Sequence, residues 1–227
     1  MKTRRKAIGQ QVYFVIEEAE PTLHDAIRGL RYEVFEGGFA RAFPAATPHL
    51  DQIYQNFARY MPNLIAQAAG VHPVPWEKCL SALVERLHGE NINWWLVGSA
   101  ALAVRGLPVQ PHDLDLIVQD QGSTRVSELL REYEVEPMHD SRGWIWDWFG
   151  RSFLHARLEW VRDVNHKAEA DGMVDYGLTA LERSEIVDWQ GAAIRVPPLE
   201  LQLLVSERRG LTQRADLIRT YLHKDQP

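Results

Sequence analysis

The sequence predicts an α+β fold in which a small mixed β-sheet is flanked by helices. Short runs rich in valine, isoleucine and tryptophan alternate with amphipathic stretches of helical spacing. With 227 residues, the chain is long enough to bury a core without disulfides or a structural metal. Its 45% hydrophobic and 25% charged residues are typical of a globular protein. Each predicted element follows from its own local pattern.

The first 75 residues are predicted to form a mostly helical region. A short strand is expected at residues 12–16, and a helix at residues 22–35 that ends at a glycine pair. Apolar residues follow helical spacing over residues 50–68, where Pro62 is expected to break or kink the helix or to begin a second one. A connector at residues 70–75 places a domain boundary there. Nothing in this region indicates a particular chemistry.

The rest of the chain, residues 76–227, is predicted to form the domain that contains the sheet. Runs of apolar and β-branched residues predict its strands, and Gln190-Gly191 predicts the turn of a hairpin. Amphipathic spacing, serines at helix starts and glycines after helix ends predict its helices. The expected strands are residues 93–97, 112–118, 144–149, 153–161, 186–189 and 193–196, and the expected helices begin at Pro75 and cover residues 100–105, 123–133, 199–208 and 211–222.

Charge is distributed unevenly and argues against a nucleic-acid partner. The chain carries a net charge of −6, but residues 1–75 and 196–227 each carry +1, so the stretch between them carries −8. Contacts to nucleic-acid phosphates require lysine and arginine, which acidic residues outnumber in that stretch. An acidic centre suits a site that holds divalent cations, although a solvated acidic surface has the same composition.

The sequence favours a cytoplasmic protein without a membrane partner. Its longest apolar runs fall short of the ~20 residues that a membrane-spanning helix needs. The basic start of the chain is not followed by the apolar segment of a secretory signal. A single cysteine, Cys79, excludes an internal disulfide framework and zinc sites built from several cysteines.

One segment carries a pattern with specific chemistry: WLVGSAALAVRGLPVQPHDLDLIV, residues 95–118. Asp113 and Asp115 lie two positions apart in a predicted strand, so their side chains point to the same face. Two adjacent carboxylates repel each other unless a cation lies between them, and Mg²⁺ prefers such oxygen ligands. Taken alone, the Asp-x-Asp pattern also fits a strand whose outer face carries solvated acids.

The turn before this strand is suited to an anion. Gly98 allows the backbone to approach a ligand closely, and Ser99 and Ala100 open a short helix whose first N–H groups are free. A helix cap is the alternative role for Ser99, and the two roles are compatible. The segment therefore predicts a phosphate site at one end and, at the other, a site for the metal that phosphate carries.

This arrangement resembles the nucleotidyltransferases of the DNA polymerase β superfamily. In that family, a Gly-Ser or Gly-Gly pair, a short helix and an Asp-x-Asp strand are followed by a third acidic residue on a later strand. Gly98 and Ser99 match the first part, and Asp113 and Asp115 match the third. The resemblance covers about residues 90–220 and is strongest to small bacterial antibiotic and minimal nucleotidyltransferases. It implies a polymerase β-like nucleotidyltransferase fold with an N-terminal extension.

The resemblance also implies a third carboxylate, for which two residues are candidates. Glu159 lies near the family position, in a predicted strand whose alternation puts Arg157, Glu159 and Val161 on one face. Asp147, on the preceding predicted strand, is the alternative. An exposed sheet face is the other explanation for a charged residue in the middle of a strand. In the last helix many relatives place a lysine before the aspartate, whereas this chain has alanine before Asp216.

The function implied by the resemblance is transfer of a nucleoside monophosphate from a nucleoside triphosphate, such as ATP, to an acceptor hydroxyl, with release of pyrophosphate. A small-molecule acceptor is expected. The residues expected to be catalytic and to hold Mg²⁺, as two ions, are Asp113, Asp115 and Glu159. The residues expected to bind the nucleotide are Gly98, Ser99 and Ala100.

Two other functions remain open from the sequence. Relatives of this kind include toxins that nucleotidylate RNA or protein with the same chemistry, and the fold could also have kept nucleotide binding and lost transfer. Trp144, Trp146 and Trp148 alternate along a predicted strand, so their rings form either a stacking platform for a base or a stripe of the core.

Overall fold

The computed structural model describes residues 1–119, 122–140, 146–164 and 177–224. The N-terminal region combines helices with a four-stranded antiparallel sheet in the order β1-β2-β4-β3. In the described residues, no helix combines the length and the apolar composition needed to cross a membrane. The N-terminal elements are β1 (Lys2–Ile8), β2 (Gln11–Glu17), a 3-10 turn (Pro21–Leu23), α1 (His24–Gly29), β3 (Glu33–Phe35), β4 (Gly38–Pro44) and α2 (Leu50–Ala68).

The expectation of a mostly helical N-terminal region is corrected by this sheet. The charged residues of β1 are typical of a solvated segment and do not predict a strand, but in the structure they form cross-strand ion pairs, such as Arg4 with Glu17 at 2.6 Å. The helix predicted at residues 22–35 ends early, where Arg31 adopts a left-handed conformation with φ 68°. The glycine pair expected to stop that helix instead belongs to the tight turn between β3 and β4.

Helix α2 runs without interruption through Pro62, so Pro62 neither breaks the helix nor begins a second one, and a kink stays a prediction. Pro62 is exposed, so its ring lies on the solvent side of the helix and not in the core. The opposite side of α2 buries Ile53, Phe57, Met61 and Ile65 in the N-terminal core.

The second region contains a five-stranded sheet in the order β5-β6-β9-β8-β7. Strands β6 and β9 are parallel, and the other neighbours are antiparallel, so the predicted mixed sheet is confirmed. Its elements are α3 (Trp76–Leu87), β5 (Trp94–Val97), α4 (Gly98–Val104), β6 (Leu114–Val118), α5 (Gly122–Leu129), β7 (Glu134–Asp140), β8 (Trp146–Leu154), β9 (Ala156–Val164), α6 (Leu178–Glu182), β10 (Glu185–Trp189), β11 (Ala192–Val196), α7 (Leu199–Arg208) and α8 (Thr212–Lys224).

The two faces of this sheet have different surroundings. On one face, Leu116 and Trp160 pack into a core that also takes residues from α3, α4 and α5. On the other, Ile117 and Val161 pack with residues of β5 and β8. Because side chains alternate along a strand, Asp115 and Glu159 lie on the same face as Ile117 and Val161.

The two predicted domains share a core in the structure. Val135 of β7 and Phe153 of β8 pack into the N-terminal apolar cluster. Asn56 of α2 donates hydrogen bonds to the carbonyls of Arg131 and Glu134, at 2.8 and 3.0 Å. The division into residues 1–75 and 76–227 stays a prediction, but the first part packs directly against the sheet of the second.

Candidate active site

Three carboxylates lie close together at one end of the five-stranded sheet. Asp113 directly precedes β6, Asp115 lies on β6, and Glu159 lies opposite Asp115 on the parallel strand β9. One carboxylate oxygen from each residue lies within 4.8 Å of the other two, and all three side chains are partly buried. The structure thus brings Glu159 together with Asp113 and Asp115, and its role as the third acid stays a prediction.

Gly98 makes the closest backbone approach to this cluster. Its φ is +68°, and a Cβ at this position would lie 3.0 Å from Oδ2 of Asp115, so a side chain here would be strained and would crowd the carboxylate. The amide of Gln202, on α7, donates to the Gly98 carbonyl at 3.1 Å. The turn is therefore held against Asp115 by a helix from the far end of the chain.

Ser99 and Ala100 lie in the first turn of α4, immediately after Gly98. The expected capping role of Ser99 is not observed, because α4 begins at Gly98 and no side chain caps it. Ser99 is partly buried, whereas Ala100 packs into the core. Any contact of Ala100 with a ligand is therefore limited to its backbone.

Two arginines that are not among the predicted site residues contact the carboxylates. Arg157 forms an ion pair with Asp113, and its Nε lies 3.6 Å from Oε1 of Glu159. Arg151, on β8, donates from Nε to the same Glu159 oxygen at 2.7 Å. Burial favours the protonated form of Glu159, but the charges of Arg151 and Arg157 outweigh it and hold the pKa of this carboxyl below its ordinary value. Glu159 is therefore an anion at neutral pH.

A second layer of buried polar groups lies behind Arg151. Its Nη1 bonds to a Glu136 oxygen and donates to the carbonyl of Leu30 at 3.1 Å. Glu136 is fully buried and also accepts from the hydroxyl of Tyr32 at 2.7 Å and from Arg41 at 2.8 Å. Burial alone would raise the pKa of Glu136, but Arg151 and Arg41 lower it below its ordinary value.

His139 is a neutral member of this layer. Its Nε2 accepts from Arg41 at 2.8 Å, which leaves the proton on Nδ1 to bond the Pro137 carbonyl at 2.7 Å. Burial, together with the neighbouring charge of Arg41, lowers the pKa of His139 to about 4. The imidazole therefore stays uncharged in the folded protein well below neutral pH.

We expect the folded state to lose stability as the pH falls from about 6.5 to about 4, because unfolding lets His139 take up a proton that the fold rejects. His139→Gln keeps an acceptor and a donor but removes this titration. Urea titrations across this range measure the unfolding free energy of both proteins. Between the two ends of the range, the wild type should lose about 3 kcal/mol more than the variant. Parallel pH profiles for the two proteins would show that His139 does not contribute.

An open cleft of about 450 Å³ lies beside Arg157, and its lining does not include the three carboxylates. Its lining includes Arg157, the partner of Asp113, and His112, the neighbour of Asp113 in the chain. The N-terminal region supplies the opposite wall, so this region takes part in shaping the surroundings of the site. The lining residues are Thr22, Asp25, Ala26, Gly29, Ala68, Ala69, His112 and Arg157.

The tryptophan stripe and Asp147 are only partly described. Trp144 and the side chains of Trp146 and Asp147 lie outside the described residues. Trp148 is 36% exposed, and the guanidinium of Arg162 lies 5.0 Å from its ring centroid. This ring is therefore not part of the core.

Comparison with family models finds a match, over part of the chain. A family model for aminoglycoside-2''-adenylyltransferase matches residues 79–144, which include Gly98, Asp113 and Asp115. This match confirms the resemblance to nucleotidyltransferases.

Comparison with solved structures gives a weaker likeness. A crystal structure of a Thermotoga maritima protein, provisionally assigned as a nucleotidyltransferase, has a TM-score of 0.49 and 22% identity. The likeness covers 64% of this chain and 91% of that chain. A search of curated proteins finds no match.

Proposed function

We propose that this protein transfers a nucleoside monophosphate from a nucleoside triphosphate, with Mg²⁺, to a hydroxyl of a small molecule and releases pyrophosphate. The observation that carries the proposal is the meeting of Asp113, Asp115 and Glu159 beside the Gly98 turn. Three carboxylates that converge near one end of two parallel strands provide hard oxygen ligands.

The donor set fits a divalent metal. Asp113, Asp115 and Glu159 offer oxygens within 4.8 Å of one another, and Mg²⁺ is commonly held by one or two carboxylates together with substrate phosphates. The three carboxylates and the two arginines paired with them, Arg151 and Arg157, together carry a net charge of −1. Two Mg²⁺ ions would offset that charge and most of the charge of a triphosphate. Bound Mg²⁺ would polarise the phosphate and lower the pKa of the acceptor hydroxyl.

The chain's own residues then position the reactants. Gly98 leaves room at the turn for the β- and γ-phosphates, with Ser99 and the N–H of Ala100 as their donors. The acceptor occupies the cleft, and its hydroxyl oxygen attacks the α-phosphorus in line. As that bond forms, the bond to the pyrophosphate oxygen breaks, and the hydroxyl proton passes to the carboxylate of Glu159.

The nature of the acceptor follows from the surroundings of Asp113. Arg151 and Arg157, which contact the carboxylates, are both ion-paired with acids of the site, so they do not offer a positive track for RNA. A small molecule fits the cleft better, and aminoglycosides belong in the first screen because of the family match. A single buried cysteine, Cys79, fits a cytoplasmic location.

One observation favours a second function, a nucleotide-binding module without transfer activity. Arg157 and Arg151 neutralise Asp113 and Glu159 without any metal. If these pairs persisted in the presence of nucleotide and Mg²⁺, the carboxylates would serve structure rather than catalysis. Calorimetry together with a transfer assay separates the two functions.

Calorimetric titration with non-hydrolysable forms of the four nucleoside triphosphates, with and without Mg²⁺, tests the proposal. We expect Mg²⁺-dependent binding by the wild type, weakened at least about tenfold in the Asp113→Asn/Asp115→Asn variant, because two anionic ligands are lost. Asp216→Asn is the matched control, since Asp216 is an exposed acid paired with Arg219 on α8. Absence of binding, or binding that the double variant retains in full, would contradict the nucleotide site. Binding without pyrophosphate release with any acceptor would favour the binding module.

A further inference from the structure

Arg151 connects the proposed metal site to the N-terminal region. Its guanidinium bonds Glu159 through Nε, and its Nη1 contacts both Glu136 and the main-chain carbonyl of Leu30. Arg151 is 2% exposed and Glu136 is fully buried, so water does not compete for these contacts. The Glu159 carboxylate is thus attached to a buried polar chain that ends in the first 41 residues.

We infer that Arg151 is a positioning residue that aims the Glu159 carboxylate at Asp113 and Asp115, and that Tyr32 and Glu136 set the position of Arg151. This inference rests on the proposed function, because it assigns a purpose to the orientation of Glu159. It also gives the N-terminal region a role in the site. That region supplies the Leu30 carbonyl, the Tyr32 hydroxyl and Arg41 to the polar chain.

The geometry explains why this position needs an arginine. A planar guanidinium donates in several fixed directions, and here it reaches two carboxylates and one carbonyl at the same time. A lysine carries the same charge but does not have this fork. Charge alone therefore does not account for the arrangement.

A contribution to folding stability also does not explain why these charged groups are buried. Desolvation of ionised groups cancels much of their mutual attraction, and apolar residues of similar volume often give an equally stable core. Groups that orient a metal ligand, in contrast, commonly change metal affinity by about 10- to 100-fold when they are altered. A measurement of metal affinity therefore distinguishes positioning from a purely structural role.

The test is a titration of the full-length protein with Mn²⁺, followed by electron paramagnetic resonance of the free ion. We expect Arg151→Lys, which keeps the charge, to weaken Mn²⁺ binding by about tenfold. We expect Tyr32→Phe, which removes only the hydroxyl bonded to Glu136, to weaken binding by about threefold. If Arg151→Lys does not fold, Tyr32→Phe alone still tests the positioning role.

Glu134 provides matched controls outside this polar chain. Its buried carboxylate accepts from the Ser127 hydroxyl at 2.7 Å and pairs with Arg131 at 2.8 Å. Arg131→Lys and Ser127→Ala therefore remove contacts of the same kinds, and we expect them to leave Mn²⁺ affinity unchanged. Wild-type affinity in both test variants would overturn the positioning role, as would equal losses in the controls. Absence of Mn²⁺ binding by the wild type would instead overturn the metal site itself.

Discussion

Glu159→Gln should lower the rate of nucleotidyl transfer by about a thousandfold while the protein remains folded. The substitution keeps the size of the side chain but removes the charge that converges with Asp113 and Asp115. Loss of a bound metal or of a proton acceptor costs several kcal/mol of transition-state stabilisation, and each 1.36 kcal/mol is about tenfold in rate. Pyrophosphate release, with the acceptor that supports the fastest wild-type reaction, measures this effect.

Asp147→Asn is the comparison that separates the two candidates for the third acid. The backbone of Asp147 lies four residues before Arg151 on β8, and Arg151 is the residue that pairs with Glu159 across the sheet. At about 3.3 Å per residue, position 147 is about 13 Å along the strand from that level. We therefore expect its variant to keep transfer within about twofold of wild type. Loss of activity in Asp147→Asn with retention in Glu159→Gln would reverse the assignment.

The segment around Asp113 could be predicted from the sequence because all of its information is local. A strand, a Gly-Ser turn, a short helix and a second strand follow one another within residues 95–118. The period of two along a strand is enough to place Asp113 and Asp115 on one face. The position of Glu159 beside Asp115 is not local information, because it depends on the parallel pairing of β9 with β6. The resemblance to a known family supplied its approximate position.

The polar chain behind Glu159 could not be predicted in the same way. The Tyr32 hydroxyl and the Glu136 carboxylate are 104 positions apart in the chain, and no local pattern relates them. Strand β7 contains Pro137 and three acidic residues, so its sequence is more typical of a loop. In the structure, its pairing with β8 has two register irregularities. A buried Glu136 can be recognised only when Arg151, Arg41 and Tyr32 are seen around it.

Gly150→Ala should destabilise the protein by about 3 kcal/mol and weaken the metal site as well. Gly150 lies opposite Trp160 across strands β8 and β9, and the buried indole packs on its Cα. A Cβ would lie 2.5 Å from Cζ2 and 2.6 Å from Cε2 of that ring, which is closer than real contacts allow. Urea titration measures the loss, with Gly29→Ala as the control, because no atom lies within 4 Å of a Cβ at Gly29.

The substitution at Gly150 should also affect the metal site, because Gly150 and Trp160 are the chain neighbours of Arg151 and Glu159, which form an ion pair there. Arg151 comes directly after Gly150, and Glu159 comes directly before Trp160, so a displaced ring moves the two strands that hold this ion pair. We expect Gly150→Ala to bind Mn²⁺ more weakly than wild type even where it is fully folded. A variant that unfolds at the wild-type urea concentration would show that the indole can move aside at little cost. In that case the contact between Trp160 and Gly150 would not be what fixes the distance between Arg151 and Glu159.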